Sequence, residues 1–145
     1  MKVFKRAGSL DAINHDMRDT MIAHLGIHFT AITENSLEAT MPVNEKTCQP
    51  FGYLHGGASC VLIETLGSCA SMLCVDEGDR VVGVEINASH VKAVPIGDTV
   101  RGLATPIKIG NAIHVWEVRL FNQHDELCCV GRLTTKALKA GGSTM

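Results

Sequence analysis

The chain has 145 residues, enough for one domain with a proper core and too few for two. Its formal net charge of −2 argues against the broad cationic footprint of a nucleic-acid-binding protein. Lys2, Lys5 and Arg6 are not followed by the apolar segment of a secretory leader. Six cysteines suggest no disulfide framework: Cys60, Cys69 and Cys74 share one apolar run, and Cys128 and Cys129 are adjacent. A reduced, cytoplasmic protein is expected.

In chain order, Ser9 can cap a short helix carrying Leu10, Ile13, Met17 and Met21 on one side, stopped by Gly26. Residues 27–33 and 36–43 read as a strand hairpin turning at Glu34-Asn35, with Leu37, Ala39 and Met41 on one face of the second strand. The loop Gln49-Pro-Phe-Gly-Tyr-Leu-His-Gly-Gly57 then opens a long helix, 56–74. Pro50 and Gly52 force a bent approach. Within the apolar run one carboxylate stands alone, Glu64, costly to bury. Helical spacing aligns it with Cys60, Gly67, Ser68 and Ser71, while Leu62, Leu66, Ala70 and Leu73 fall on another side. Because the run is interrupted by Ser, Gly and Glu64, it reads as a buried helix and not a membrane span.

Four strands follow: 81–91 with Val82, Val84, Ile86 and Ala88 on one face, 99–109, 112–121 and 127–138, separated by short turns that imply antiparallel neighbours. The tail from about residue 140 is expected to be disordered. One curved antiparallel sheet wrapped around one long helix, an α+β fold over residues 1–145, is the expected architecture. Its open sheet edges call for dimerisation.

Three stretches carry a resemblance: Leu37-Glu-Ala-Thr-Met-Pro-Val43, Gln49-Pro-Phe-Gly-Tyr-Leu-His-Gly-Gly-Ala-Ser59 and Glu64-Thr-Leu-Gly-Ser68. It continues through residues 82–90 and 128–133. Together they closely resemble the hotdog-fold thioesterases, in the bacterial branch that hydrolyses acyl-CoA and aryl-CoA thioesters. The resemblance implies a hotdog fold, a homotetramer built as a dimer of dimers, and a site shared across the dimer interface. Glu64 of one subunit would work with Gln49 and His55 of the other. No cofactor is implied, since coenzyme A is part of the substrate; an acyl or aryl carrier protein is the other thiol donor to consider.

The residues suit that chemistry. A thiolate leaves readily, because a thiol pKa is only about 8.5; what hydrolysis needs is attack on the carbonyl and stabilisation of the oxyanion. The Gly56 amide at the helix N-terminus can point at the carbonyl oxygen, and Gln49 can add a second donor. Glu64 supplies a nucleophile or a general base. Ser68 can orient a water or the carboxylate, or simply allow close packing. His55 can position the loop or assist the thiolate. By resemblance, coenzyme A contacts fall at Gly83, Val84, Ser89 and His90, at Lys92, and at the turn Lys108-Ile-Gly110-Asn111. Related sequences often carry Arg where this chain has Asn111. His24 and His28 have the spacing of a metal pair, but Gly26 interrupts them and no further ligand is in place, so no metal is expected.

Two other readings use the same residues. A hotdog dehydratase acting on 3-hydroxyacyl thioesters would need a His and an acid reaching the α and β carbons. A non-catalytic acyl-CoA-binding module would have no use for Glu64.

Overall fold

A computed structural model describes residues 1–142. The elements are α1 (Leu10–Asp16), α2 (Met21–His24), β1 (His28–Ile32), β2 (Leu37–Pro42), α3 (Gly56–Cys74), β3 (Arg80–His90), β4 (Thr99–Ile109), β5 (Ile113–Phe121) and β6 (Leu127–Leu138). The strands form one antiparallel sheet in the order β1-β2-β4-β5-β6-β3. It wraps around α3, the hotdog arrangement that the sequence leads one to expect.

Leu62, Ile63, Leu66 and Ala70 of α3 are fully buried with Leu37 and Met41 of β2, Val100 of β4, Leu120 of β5 and Leu133 of β6. The alternation in β2 holds, with Leu37, Ala39 and Met41 inward. Although α3 is long and apolar enough to cross a membrane by composition, its leucines are spent on the sheet. Ser71, about two turns beyond Glu64 on the same side of α3, is not part of the hollow that Glu64 lines. It is turned inward, where the buried Trp116 Nε1 donates to Ser71 Oγ at 2.7 Å and Thr135 Oγ1 lies 2.7 Å away. A buried indole N–H needs an acceptor, and Ser71 supplies it.

The single N-terminal helix expected from the sequence is two short ones. α1 ends at Met17, Asp19 takes φ 60°, and the Thr20 hydroxyl starts α2 by accepting from the Ile22 amide at 3.2 Å. Gly26, at φ 76°, then ends α2 as expected. Asn14 of α1 pairs with the backbone of β1 like a neighbouring strand: the Phe29 amide donates to Asn14 Oδ1 at 2.8 Å, and Asn14 Nδ2 donates to the Phe29 carbonyl at 3.0 Å. That blunts the β1 edge. The longer β3 edge has no such cover among the described residues, and Gly83, Glu85, Asn87 and Ser89 are exposed along it.

The last four strands are not all neighbours in sequence order. β3 lies beside β6 at one edge and β4 beside β2, so residues 91–98 cross the molecule. That crossing is pinned to the Gln49 loop: the Leu54 amide donates to the Val94 carbonyl at 2.8 Å, and the Ile96 amide to the Gly52 carbonyl at 3.0 Å. It carries the end of β3 to the start of α3. The face expected for β3 also breaks, because Gly83 pairs with Thr135 and Glu85 with Thr134. This bulge leaves Val84 54% exposed while Ile86 and Ala88 are half-buried.

The expected disorder from residue 140 does not extend to 140–142. The Ala140 amide donates to Asp79 Oδ1 at 2.9 Å, and Lys139 Nζ reaches Asp79 Oδ2 at 2.8 Å. These two bonds hold the Asp79 carboxyl below its ordinary range. Residues 143–145 of that stretch lie outside the described residues.

His114 on β5 is 1% exposed, and its Nδ1 has no hydrogen-bond partner among the described residues. Burial lowers its pKa from the ordinary 6.5. A base depressed in the fold binds its proton more weakly there than in the unfolded chain, so stability is lost as pH falls below 6.5. The melting temperature should drop as pH falls below 6.5, and His114→Leu should flatten that part of the profile. An unchanged slope in the variant would assign it to other groups.

Candidate active site

The Gln49 loop is held by its own side chains. Gln49 Oε1 accepts from the Phe51 amide at 2.6 Å and the Tyr53 amide at 3.3 Å. With its oxygen occupied, the carboxamide turns its NH₂ outward as a donor. His55 is the N-cap of α3: its Nδ1 accepts from the Gly57 amide at 2.7 Å, and its carbonyl accepts from the Ala58 and Ser59 amides. The Gly56 amide alone in this first turn has no partner among the described residues, and it sits at the positive end of the helix. Accepting at Nδ1 fixes the neutral His55 ring with its proton on Nε2, a donor.

His90, at the end of β3, lies directly over Gly56. A Cβ on Gly56 would meet His90 Nε2 at 2.9 Å, so glycine is what allows a close approach there. Gln49, Gly56, Ser59, His90 and Lys92 together line a cleft of about 420 Å³. Lys92 reaches Glu126 at 3.3 Å across its rim.

Glu64 faces a different space. It follows Gly56 by eight residues on α3, about 12 Å of helical rise. With Ser68, Met17, Met21, Val61 and Met72 it lines an apolar hollow of about 540 Å³, to which Ile86 of β3 also contributes. Its carboxyl lies against the backbone of Gly83, where a Cβ would collide with Oε1. Desolvation raises its pKa from the ordinary 4.5. The Ser68 hydroxyl lines the same hollow but makes no hydrogen bond with Glu64 among the described residues. The sequence places Met17 and Met21 on one side of a single helix; the chain breaks between them at Asp19, and both line the hollow of Glu64. Gly83→Ala should displace Glu64 and cut turnover, while the chain still folds, because Gly83 is exposed within its own chain. A fully active Gly83→Ala enzyme would mean that Glu64 has no need of this position.

The residues expected at the coenzyme fall into two groups. Gly83 pairs with Thr135, which pairs with His114, which pairs with Ile109. Gly83 and Val84 therefore share one end of the sheet with Lys108, Gly110 and Asn111, close to Glu64. Ser89, His90 and Lys92 lie at the other end, seven strand residues or about 23 Å away, with Gln49, His55 and Gly56. One chain thus presents two half-sites. Among the described residues, no three His, Cys, Asp or Glu side chains cluster to hold a metal ion.

The six cysteines are all free, and burial pushes Cys69 up to about 12 and Cys74, Cys128 and Cys129 up to about 11. None of these four is a nucleophile at neutral pH.

Comparison with known proteins agrees with this architecture. The family model described as "Thioesterase superfamily" matches residues 51–129. A 1,4-dihydroxy-2-naphthoyl-CoA hydrolase from Escherichia coli K12 is 46% identical over 136 residues, 94% of this chain and 99% of that protein. The proofreading thioesterase EntH of Cronobacter sakazakii is also 46% identical, over 94% of this chain and 98% of its own length. Among solved structures, thioesterase HI1161 from Haemophilus influenzae superposes with a TM-score of 0.92 at 43% identity, covering 95% of this chain and 96% of that one. The chain belongs to the thioesterase superfamily and is a hotdog-fold thioester hydrolase.

Proposed function

We propose that the protein hydrolyses acyl-CoA or aryl-CoA thioesters in the cytoplasm, at sites each completed by two subunits. The observation that carries this reading is the separation just described: Glu64 and the Gly56 amide face different hollows, about 12 Å apart along one helix. A single thioester carbonyl cannot touch both within one chain.

The open β3 edge supplies the remedy. Two copies pairing antiparallel along β3 set the Gly83 end of one against the His90 end of the other. Glu64 of one subunit then meets Gln49, His55 and Gly56 of the partner subunit. In that arrangement the Gly56 amide and the Gln49 NH₂ bind the carbonyl oxygen as it gains charge. Glu64 attacks the carbon or takes a proton from water, with Ser68 beside it. The His55 Nε2–H is placed to donate to the departing thiolate. The apolar hollow takes the acyl or aryl group, while His90 and Lys92, with Lys108 and Asn111 of the other subunit, are candidates for the coenzyme arm. The relative named for CoA hydrolysis supports the CoA thioester, and the same thioester on a carrier protein would present the same pantetheine arm.

The test is thiol release over a panel of aryl-, short-chain and long-chain CoA thioesters. Stoichiometric thiol and acid, with no enoyl product from a 3-hydroxyacyl-CoA, are expected; enoyl product without thiol would overturn the reading. Assembly is the second check. Light scattering should give a tetramer at micromolar concentration, a dimer of β3-paired dimers. A monomer mass with full activity would sink the shared site.

A further inference from the structure

We infer that Phe51 of one subunit forms a wall of the acyl pocket beside Glu64 of its partner and selects for flat aromatic acyl groups; this rests on the shared site proposed above. Phe51 is 85% exposed, the most exposed large apolar side chain after Met1 among the described residues. It does not sit on a loose loop. Its amide donates to Gln49 Oε1 at 2.6 Å, Pro50 precedes it, and Gly52 follows with φ 86°. Wherever the Gln49 carboxamide goes, the Phe51 backbone therefore goes with it.

Placing the Gln49 NH₂ on a thioester carbonyl next to Glu64 of the other subunit carries the Phe51 ring to the same carbonyl. Which side of the carbonyl it occupies follows from the cleft around Gly56. Gln49, Tyr53 and Leu54 line that cleft and the exposed Phe51 does not, so its ring stands outside the His90 and Lys92 cleft. What remains is the acyl side, the hollow lined by Met17, Met21, Val61, Met72 and Ile86. That hollow lacks a wall in the single chain: Met21 is 60% exposed at its rim. A phenyl ring against three thioethers is a favourable contact, since sulfur packs well at ring edges and methionine adapts its shape. An acyl group held between them is sandwiched by a flat ring on one side and flexible side chains on the other, which favours a planar aryl group over a saturated chain.

Hybrid enzymes separate this inference from the shared site itself. One chain carries Glu64→Gln and the other Gln49→Ala, with different affinity tags, and only doubly tagged protein is assayed. In such a hybrid one site combines an intact Gln49 with an intact Glu64, and turnover well above either parent is expected. Phe51→Ala is then added to one chain at a time. On the Glu64→Gln chain, which supplies the intact Gln49 loop, it should lower kcat/KM for benzoyl-CoA about tenfold relative to hexanoyl-CoA, the size expected for losing one aromatic contact. On the Gln49→Ala chain the benzoyl-to-hexanoyl ratio should not move. Phe51 is exposed in the single chain, so its replacement removes no packing within its own subunit, and the variant hybrids should fold and assemble as the unsubstituted ones do. Restored turnover with no change of ratio from the Glu64→Gln chain would overturn the role of Phe51 and leave the shared site standing. A ratio that moves only from the Gln49→Ala chain would place the ring in its own subunit's pocket and overturn the inference too. No restored turnover at all would overturn the shared site, and this inference with it.

Discussion

Glu64→Gln is expected to fold and assemble as wild type, to bind substrate, and to lose at least about 100-fold in turnover, the low end for removing a general base. The substitution keeps the side-chain volume in the hollow beside Gly83 and removes only the charge and basicity. Single-turnover rates and melting temperatures measure both halves of the prediction. Glu64→Asp distinguishes two mechanisms. Part of the activity should survive if Glu64 activates a water, since a water can bridge the shorter reach; nearly all should vanish if the carboxylate attacks the carbon itself. Turnover of Glu64→Gln at the wild-type rate would remove Glu64 from the mechanism and direct attention to Glu85, on β3 two residues beyond the Gly83 that Glu64 rests against.

The pH dependence has a definite sign. Burial raises the Glu64 carboxyl above 4.5, and the reactive form is the carboxylate. The rate of the free enzyme should therefore rise with pH through that raised value and level off above it, and Glu64→Gln should lack this acid limb. Stability runs the other way. A carboxyl whose pKa is raised in the fold favours its neutral form there, an advantage present at low pH and lost as pH rises through the folded value. Glu64→Gln should thus melt no lower than wild type at neutral pH. A clearly lower melting temperature would mean that the ionised carboxylate holds a structural partner in the assembled protein.

Gln49→Ala is expected to lower turnover roughly 10- to 1000-fold, the range for losing one oxyanion donor. Its effect should fall on kcat more than on KM, because the donor is needed most when the carbonyl oxygen carries charge. The loop should largely keep its path, since backbone bonds at Gln49, Leu54, His55 and Ile96 hold it independently of the side chain. The second donor is a backbone amide and can be probed only by shape. Gly56→Val would drive a side chain into His90, already 2.9 Å from where a Cβ would stand, and should abolish activity with little loss of fold. Wild-type rates in Gln49→Ala would reduce Gln49 to a brace for Phe51 and Tyr53, the bonds that its oxygen already makes.

The sequence by itself determined the long helix and its apolar stripe, the inward residues of β2, and the Gln-x-x-x-x-x-His-Gly-Gly loop at the helix start. These are local facts: helical period, strand alternation and turn residues write themselves into neighbouring positions. The lone Glu64 was legible for the same reason, as one charge in an apolar run. The tertiary structure alone decided which strands are neighbours. Between the strands expected at 81–91 and 99–109 the sequence reads as an ordinary turn at 95–98, and only bonds to Gly52 and Leu54 show that this connection crosses the molecule. It also decided that Ser71 serves Trp116, since helical spacing puts Ser71 near the face of Glu64 and cannot see an indole forty-five residues away. The bulge at Val84 and the break at Asp19 were beyond the sequence too, because each depends on a pairing partner or a packing surface supplied by distant residues. The same limit applies to the site. Sequence collects Gln49, His55, Gly56 and Glu64 into one stretch, but the rigid rise of α3 holds Glu64 about 12 Å from Gly56 and turns it to another hollow.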